Sequence, residues 1–353
     1  MGTAHANALA RLPMFFPDAP SVNRDVLIGR DEAELRKAAD RLGFDRIATD
    51  WESAVDEVDI LHNLGPNFLH ADPSIRALES GASVLCEKPL AASLDDAKEM
   101  DTAAREHDGV AGVGFNYRYV PAIQYAKRLI DNGDLGEIRH FRGHYLQSGA
   151  TDPTSTWSWR YSAELAGGGA LGDLGAHTID LARFLVGEVS DLVGQCTTFV
   201  DERPDPSGSG YRDVTVDDAY SAQVNFENGA VGTLEASRVA SGHSNDHSIA
   251  IHGTKGSLRF SLERLNELEV QLQDSRGYQT ILITDDSDPY VDRWWPAGHV
   301  IGWEHTFVHE IYEFLRAVTG EATYRPDFRD GLATQRIIDA IQRSSESGQR
   351  MTV

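Results

Sequence analysis

Val84-Leu85-Cys86-Glu87-Lys88-Pro89 is a short apolar run closed by a charged pair and a proline. Bounded in this way, it reads as a buried strand. Pro89 fixes its own φ and offers no backbone donor, so the strand is predicted to stop there with the Lys88 ammonium at the sheet edge. In open α/β sheets ligands bind at the carboxyl ends of the strands. The chain has only five lysines, Lys37, Lys88, Lys98, Lys127 and Lys255, among 32 basic residues, so one of a scarce type stands at a candidate site. On this hexapeptide alone an ordinary strand-ending ion pair accounts for it equally well.

Outward from that strand, helix-like and strand-like segments alternate. Helical spacing covers Asp31–Leu42, Leu69–Ser80, which Gly81 stops, and Leu94–His107. Strands are predicted at Val58–Leu64, ended by Gly65-Pro66-Asn67, and at Val110–Phe115. This alternation implies a parallel, doubly wound α/β sheet. After about residue 118 the pattern changes to short strand-like runs at Ile138–Gln147, Ser221–Phe226, Ala230–Ser237, His247–His252, Ser257–Ser261, Leu268–Gln273 and Gln279–Thr284. Turn signals such as Glu227-Asn228-Gly229 separate them, as in a large, mostly antiparallel sheet. Helices are expected at Leu174–Leu185, Glu304–Val318 and Gly331–Ser344, and Arg203–Gly210 reads as an exposed loop. The division expected is a dinucleotide-binding domain over 1–118 and a substrate and oligomerisation domain over 119–353.

A chain of 353 residues is too long for one ordinary core. Apolar content of 41% with 25% charged residues is a globular profile, and no run reaches the roughly 18 apolar residues of a membrane span. Cys86 and Cys196 make no disulfide framework, which together with the lack of an export signal points to the cytoplasm. The net charge of −23 argues against nucleic acid or an anionic membrane as partner. High Asp and Glu content with little lysine resembles proteins of salt-rich, halophilic cytoplasm, where screening relieves self-repulsion. An acidic mesophile protein is the alternative.

Asp173-Leu174-Gly175-Ala176-His177 follows Gly167-Gly168-Gly169 and Gly172, glycines that permit close approach of a ligand. On a helix, Asp173 and His177 at i and i+4 share one face. A histidine titrating near neutrality suits removal of a hydroxyl proton. By spacing alone, a surface pair at a helix start is the simpler reading. Asn116-Tyr117-Arg118 follows a strand, and Trp157, Trp159 and Arg160 offer aromatic and guanidinium surface for a sugar ring, with core packing the alternative for the tryptophans. His252-Gly253-Thr254-Lys255-Gly256 lacks the spacing of a phosphate loop and reads as a hairpin turn. No Cys/His spacing suggests a metal site, and His62 and His70 read as structural.

Taken in order, Gly2-Thr3-Ala4-His5-Ala6, Gly65-Pro66-Asn67-Phe68-Leu69-His70, Cys86-Glu87-Lys88-Pro89-Leu90, Gly114-Phe115-Asn116-Tyr117-Arg118 and Gly169-Ala170-Leu171-Gly172-Asp173 through His177 resemble the Gfo/Idh/MocA oxidoreductase family over nearly the whole chain. Pro13-Met14-Phe15-Phe16, Tyr145-Leu146-Gln147 and Trp159-Arg160 further resemble its levoglucosan and neighbouring pyranoside dehydrogenase branch. The resemblance implies a Rossmann domain with an α/β domain whose open sheet often assembles dimers or tetramers. It also implies NAD or NADP as cofactor, and a secondary hydroxyl of a sugar, anhydrosugar or cyclitol as substrate. It assigns catalysis to Lys88, Asp173 and His177. Cofactor contacts fall to Gly2, Arg30, Gly65, Pro66, Asn67, His70, Glu87, Lys88 and Asn116, and substrate contacts to Lys88, Tyr117, Arg118, Tyr145, Trp159, Arg160, Asp173 and His177.

The chain departs from the family pattern in three places. The first strand and the first two glycines of G-x-G-x-x-G are missing, with Gly2 matching the third. This predicts a truncated or wrongly started reading frame and reduced dinucleotide affinity. Gly29-Arg30-Asp31 leaves the usual ribose-binding acid position to glycine unless Asp31 reaches it, and Arg30, able to pair with a 2′-phosphate, tilts the expectation toward NADP. Gly65 replaces the more usual Thr, which removes one hydroxyl. An NAD-dependent glycosidase working through a transient keto-sugar, and a non-catalytic sugar or nucleotide sensor, are the competing functions.

Overall fold

The computed structural model describes residues 1–353, which form two compact units, Met1–Asn116 with Gly302–Leu332, and Tyr117–Ile301 with Ala333–Val353. The first unit alternates helix and strand: α1 Gly2–Phe15, β1 Val26–Ile28, α2 Glu32–Leu42, β2 Arg46–Ala48, β3 Ile60–Asn63, α3 Ala71–Glu79, β4 Ser83–Glu87, α4 Leu94–Glu106 and β5 Ala111–Gly114. Local chemistry sets the helix limits. The Asp31 side chain caps α2 by accepting from the Glu34 amide at 3.0 Å, and Ser93 caps α4 by accepting from Asp96 at 3.0 Å. Gly43 ends α2 in the left-handed region at φ 73°.

The strands pair in parallel as β1-β2 and as β3-β4-β5, so β1 and β3 each have a single neighbour. β4 is the middle strand of its sheet and is buried along its whole length. That burial explains its continuous apolar reading. Lys88 follows directly and is half-buried, and the Lys88–Pro89 peptide is cis.

The second unit begins with a helix absent from the sequence reading, α5 Pro121–Asp131, and continues with β6 Ile138–Leu146, α6 Ala163–Ala166, α7 Ala176–Leu185, β7 Val189–Thr197, β8 Glu202–Pro204, β9 Tyr211–Asp213, β10 Ala219–Phe226, β11 Val231–Ser237, β12 Asp246–Gly253, β13 Gly256–Ser261, β14 Glu267–Leu272 and β15 Gln279–Leu282. α8 His305–Val318 then returns to the first unit, and α9 Phe328–Ser347 and β16 Met351–Thr352 complete the chain. The nine-stranded sheet has the order β15-β14-β13-β12-β6-β11-β10-β7-β16 and is antiparallel except for β6 against β11. Burial alternates along its central strands. α5 and α7 cover the apolar face, which carries Phe141, Tyr220, Leu234, Ile249 and Leu258. The other face presents Arg142, His144, Ser248, Arg259 and Glu269.

Arg203–Gly210 is not simply an exposed loop. β8 pairs with β9, and Arg203 is fully buried, donating to the carbonyls of Ala150 and Asp152 at 2.7 Å. Turn-rich composition concealed a hairpin whose cation is held by two backbone carbonyls. No helix is long and apolar enough to cross a membrane, and no group of three or more His, Cys, Asp or Glu side chains is arranged to hold a metal ion.

Candidate active site

In the first unit, the predicted cofactor residues gather at the carboxyl ends of β3, β4 and β5. Gly65-Pro66-Asn67 follows β3 and is held by Asn63, whose amide donates to Leu69 O at 2.9 Å and to Ser74 Oγ at 3.0 Å, while its Oδ1 accepts from the Gly65 amide at 3.2 Å. A Cβ on Gly65 would stand 3.3 Å from that Oδ1, so glycine keeps this turn tight. His70 is buried with one ring nitrogen 2.9 Å from Pro89 O and the other 3.0 Å from Gly65 O. It ties the turn after β3 to the turn after β4. Burial pushes its pKa down, although both carbonyl contacts favour a proton. Asn116, after β5, is buried and donates to Thr306 Oγ1 at 2.8 Å.

Gly2 opens α1, and nothing lies within 4 Å of where its Cβ would stand. Arg30 is exposed just beyond β1, whereas the neighbouring Asp31 carboxylate is engaged as the α2 cap. A small residue at the helix start, backbone turns at strand ends and a cation beside the central strand form a donor set that fits a dinucleotide.

In the second unit, Asp173 and His177 do not share a regular helix. Leu171–Gly175 is a single π-helical turn leading into α7, a form that recurs at functional sites. The turn is anchored by Asp217, a residue the sequence did not single out. Its carboxylate accepts from the amides of Gly169 and Leu171, both at 2.8 Å, and its carbonyl accepts from Ala170 at 3.0 Å. A Cβ on Gly169 would collide with the Asp217 carbonyl oxygen, so this close approach requires glycine. Asp173 is half-exposed and lies 3.4 Å from the Arg238 guanidinium, which also donates to Arg160 O at 3.4 Å.

His177 is buried, with its ring centroid 4.5 Å from that of Tyr117 and 6.1 Å from that of Tyr145. Tyr145 donates to Asn245 Oδ1 at 2.7 Å, so in the 3.0 Å contact between the two phenols Tyr117 is the donor. Gln147 also donates to Asn245 Oδ1 at 2.8 Å. Burial raises the Tyr145 pKa, which keeps the phenol neutral. His247 stacks on Tyr145 at 4.6 Å and lies 3.2 Å from Thr178 Oγ1, and burial pushes its pKa down to about 3.

Arg118, expected to meet substrate, makes a buried bidentate pair with Asp180 of α7 at 2.8 and 2.6 Å, with Phe184 beneath it at 5.0 Å. Its position holds the helix that carries His177. Arg160 is exposed and stacks on the half-buried Trp159 at 4.5 Å, while Trp157 donates to Asp213 O at 3.0 Å. Asp217, Arg238 and Asn245 gave no periodic or motif signal, because their partners lie 46 to 100 residues away in the chain.

Two family models match the chain. The oxidoreductase family NAD-binding Rossmann fold covers residues 1–115, and the oxidoreductase family C-terminal alpha/beta domain covers residues 127–353. Levoglucosan dehydrogenase of Pseudarthrobacter phenanthrenivorans is 40% identical over 98% of this chain and 93% of its own. The scyllo-inositol 2-dehydrogenase (NAD(+)) of Bacillus subtilis is 30% identical over 74% of this chain and 71% of its own. Among solved structures, levoglucosan dehydrogenase in complex with NADH and levoglucosan superposes with a TM-score of 0.96 at 39% identity, covering 100% of this chain and 96% of that one.

Proposed function

Because the chain belongs to the Gfo/Idh/MocA oxidoreductase family, we propose that it is a dehydrogenase that oxidises a secondary hydroxyl of a sugar, anhydrosugar or cyclitol with a nicotinamide cofactor. The observation that carries this reading is His177, buried against the Tyr117 and Tyr145 rings beside the π-turn that bears Asp173. Similarity to levoglucosan and scyllo-inositol dehydrogenases supports the substrate class.

Gly2, Gly65, Pro66, Asn67, Glu87, Lys88 and Asn116 are assigned to holding the cofactor, with His70 bridging the two turns. NAD, when bound, supplies the hydride acceptor. His177 takes the hydroxyl proton, Lys88 stabilises the developing alkoxide and Asp173 orients a substrate hydroxyl. Tyr117, Tyr145, Trp159 and Arg160 are assigned to the sugar, and Arg118 to positioning α7. Arg30, exposed beyond β1, tilts the preference toward NADP. The uncovered polar face of the large sheet supports a homodimer or homotetramer, and the charge of −23 supports a salt-adapted cytoplasmic protein.

The test is turnover of Lys88→Met and His177→Ala with a reactive sugar. Losses of roughly 10²- to 10⁴-fold are expected of groups that act on a proton or an oxyanion. Losses under about threefold in both would remove the assignment.

A further inference from the structure

His5 and His62, which have no role in the reaction as assigned, belong to a chain of polar side chains in the first unit that ends on Glu87. His5 of α1 lies with Nε2 3.1 Å from Glu87 Oε1 and Nδ1 3.1 Å from His62 Nδ1 of β3. The second Glu87 oxygen, Oε2, accepts from the Lys88 backbone amide at 3.2 Å. The His5 and Glu87 side chains are only 3% and 6% exposed. Burial, the largest single influence, disfavours the Glu87 charge, but the His5 hydrogen bond, the His5 and Lys88 charges and the Lys88 amide together outweigh it, and the carboxyl is held below its usual range.

The hydrogen bonds have a definite order. An ionised carboxylate only accepts, so His5 Nε2 carries a proton toward Glu87. With His5 neutral, its Nδ1 accepts from His62 Nδ1–H; with His5 protonated, it donates instead. In both states the contacts His62–His5–Glu87–Lys88 amide stay satisfied, and they join the starts or ends of three elements, α1, β3 and β4.

We propose that His5 is a positioning residue: through Glu87 it fixes the backbone at Lys88, and through His62 its own ring is fixed. The inference rests on the dehydrogenase reading only in taking Lys88 to act in turnover. Partners that fix a reacting group without touching substrate are expected where small misplacements are costly.

Two variants separate positioning from packing. His5→Phe keeps a ring beside Phe307, whose centroid lies 5.5 Å away, but removes the donor to Glu87. His5→Gln keeps a donor and loses the ring. With reactive sugar, His5→Phe is expected to lower kcat roughly 10- to 100-fold with the sugar KM within about threefold, and His5→Gln to retain kcat within about fivefold. A readout independent of activity is the ¹³Cε resonance of Lys88. It is resolvable because the chain has five lysines and is assigned by its loss in Lys88→Met. That resonance should move in His5→Phe and stay in place in His5→Gln.

The reverse order, with Gln impaired and Phe near wild type, would show a packing role and overturn the proposal, as would an unmoved resonance in His5→Phe. If the unaltered protein oxidises no sugar, the dehydrogenase reading fails while the resonance still decides the positioning claim. If His5→Phe does not fold, Glu87→Gln takes its place, and an unchanged Lys88 resonance there likewise overturns the proposal.

Discussion

Replacing Asp217 tests whether the glycine-rich turn before His177 is held by one buried carboxylate. Asp217 is 7% exposed, and its two oxygens accept from the Gly169 and Leu171 amides at 2.8 Å. Asp217→Ala leaves two buried N–H groups without an acceptor, at roughly 1–3 kcal/mol each. Burial raises the Asp217 pKa, so removing the charge returns part of that loss. The net expectation is about 2–4 kcal/mol of destabilisation. Asp217→Asn retains one acceptor and turns an NH₂ toward the other amide, so about half of that, 1–2 kcal/mol, is expected. A loosened turn also displaces Asp173 and His177, and kcat should fall by up to about 10²-fold in the alanine variant and less in asparagine. Urea unfolding and steady-state kinetics on both variants measure the two effects. Stability within about 0.5 kcal/mol of the parent, together with kcat within about twofold, would refute the argument.

Four further outcomes are expected. His247 is depressed from 6.5 to about 3, so the unfolded chain binds a proton there before the fold does; stability should fall as pH drops below about 6.5, by up to roughly 1.4 kcal/mol per unit for this group, and His247→Gln should flatten the urea profile over that window. Arg30→Ala should weaken NADP by about tenfold or more while leaving NAD within about threefold, as measured by cofactor titration; equal losses would count against the 2′-phosphate role. Breaking the buried Arg118–Asp180 pair by Arg118→Leu should cost about 3–5 kcal/mol in urea unfolding, because Asp180 is left charged and enclosed. Raising KCl from about 0.1 to 2 M should increase both the unfolding midpoint and activity through screening of the −23 charge, and an optimum at low salt would contradict salt adaptation.

The parts of the molecule legible in the sequence are those whose causes are local. Asp31, Gly43, Gly81 and Ser93 set helix ends by short-range hydrogen bonds or backbone freedom, and alternation along β10 to β13 follows directly from one covered face. Val84–Cys86 was readable because β4 is buried on both faces. Distant causes were hidden. The π-turn at Leu171–Gly175 depends on Asp217, and Arg118 pairs with Asp180, 62 residues on. The helix Pro121–Asp131, not among the predicted elements, carries local signals of its own, with Pro121 at its start and a pronounced apolar face. The hairpin β8-β9 was masked by turn-forming residues that in fact lie between its two strands.

The most direct test of the account follows the absorbance of reduced nicotinamide as the purified protein is offered pyranoses, inositols and levoglucosan with NAD and with NADP, at low and high salt. Net cofactor reduction is expected with at least one of these alcohols, together with its loss in His177→Ala. Silence across the panel with both cofactors, or release of free sugar from glycosides without net reduced cofactor, would contradict it.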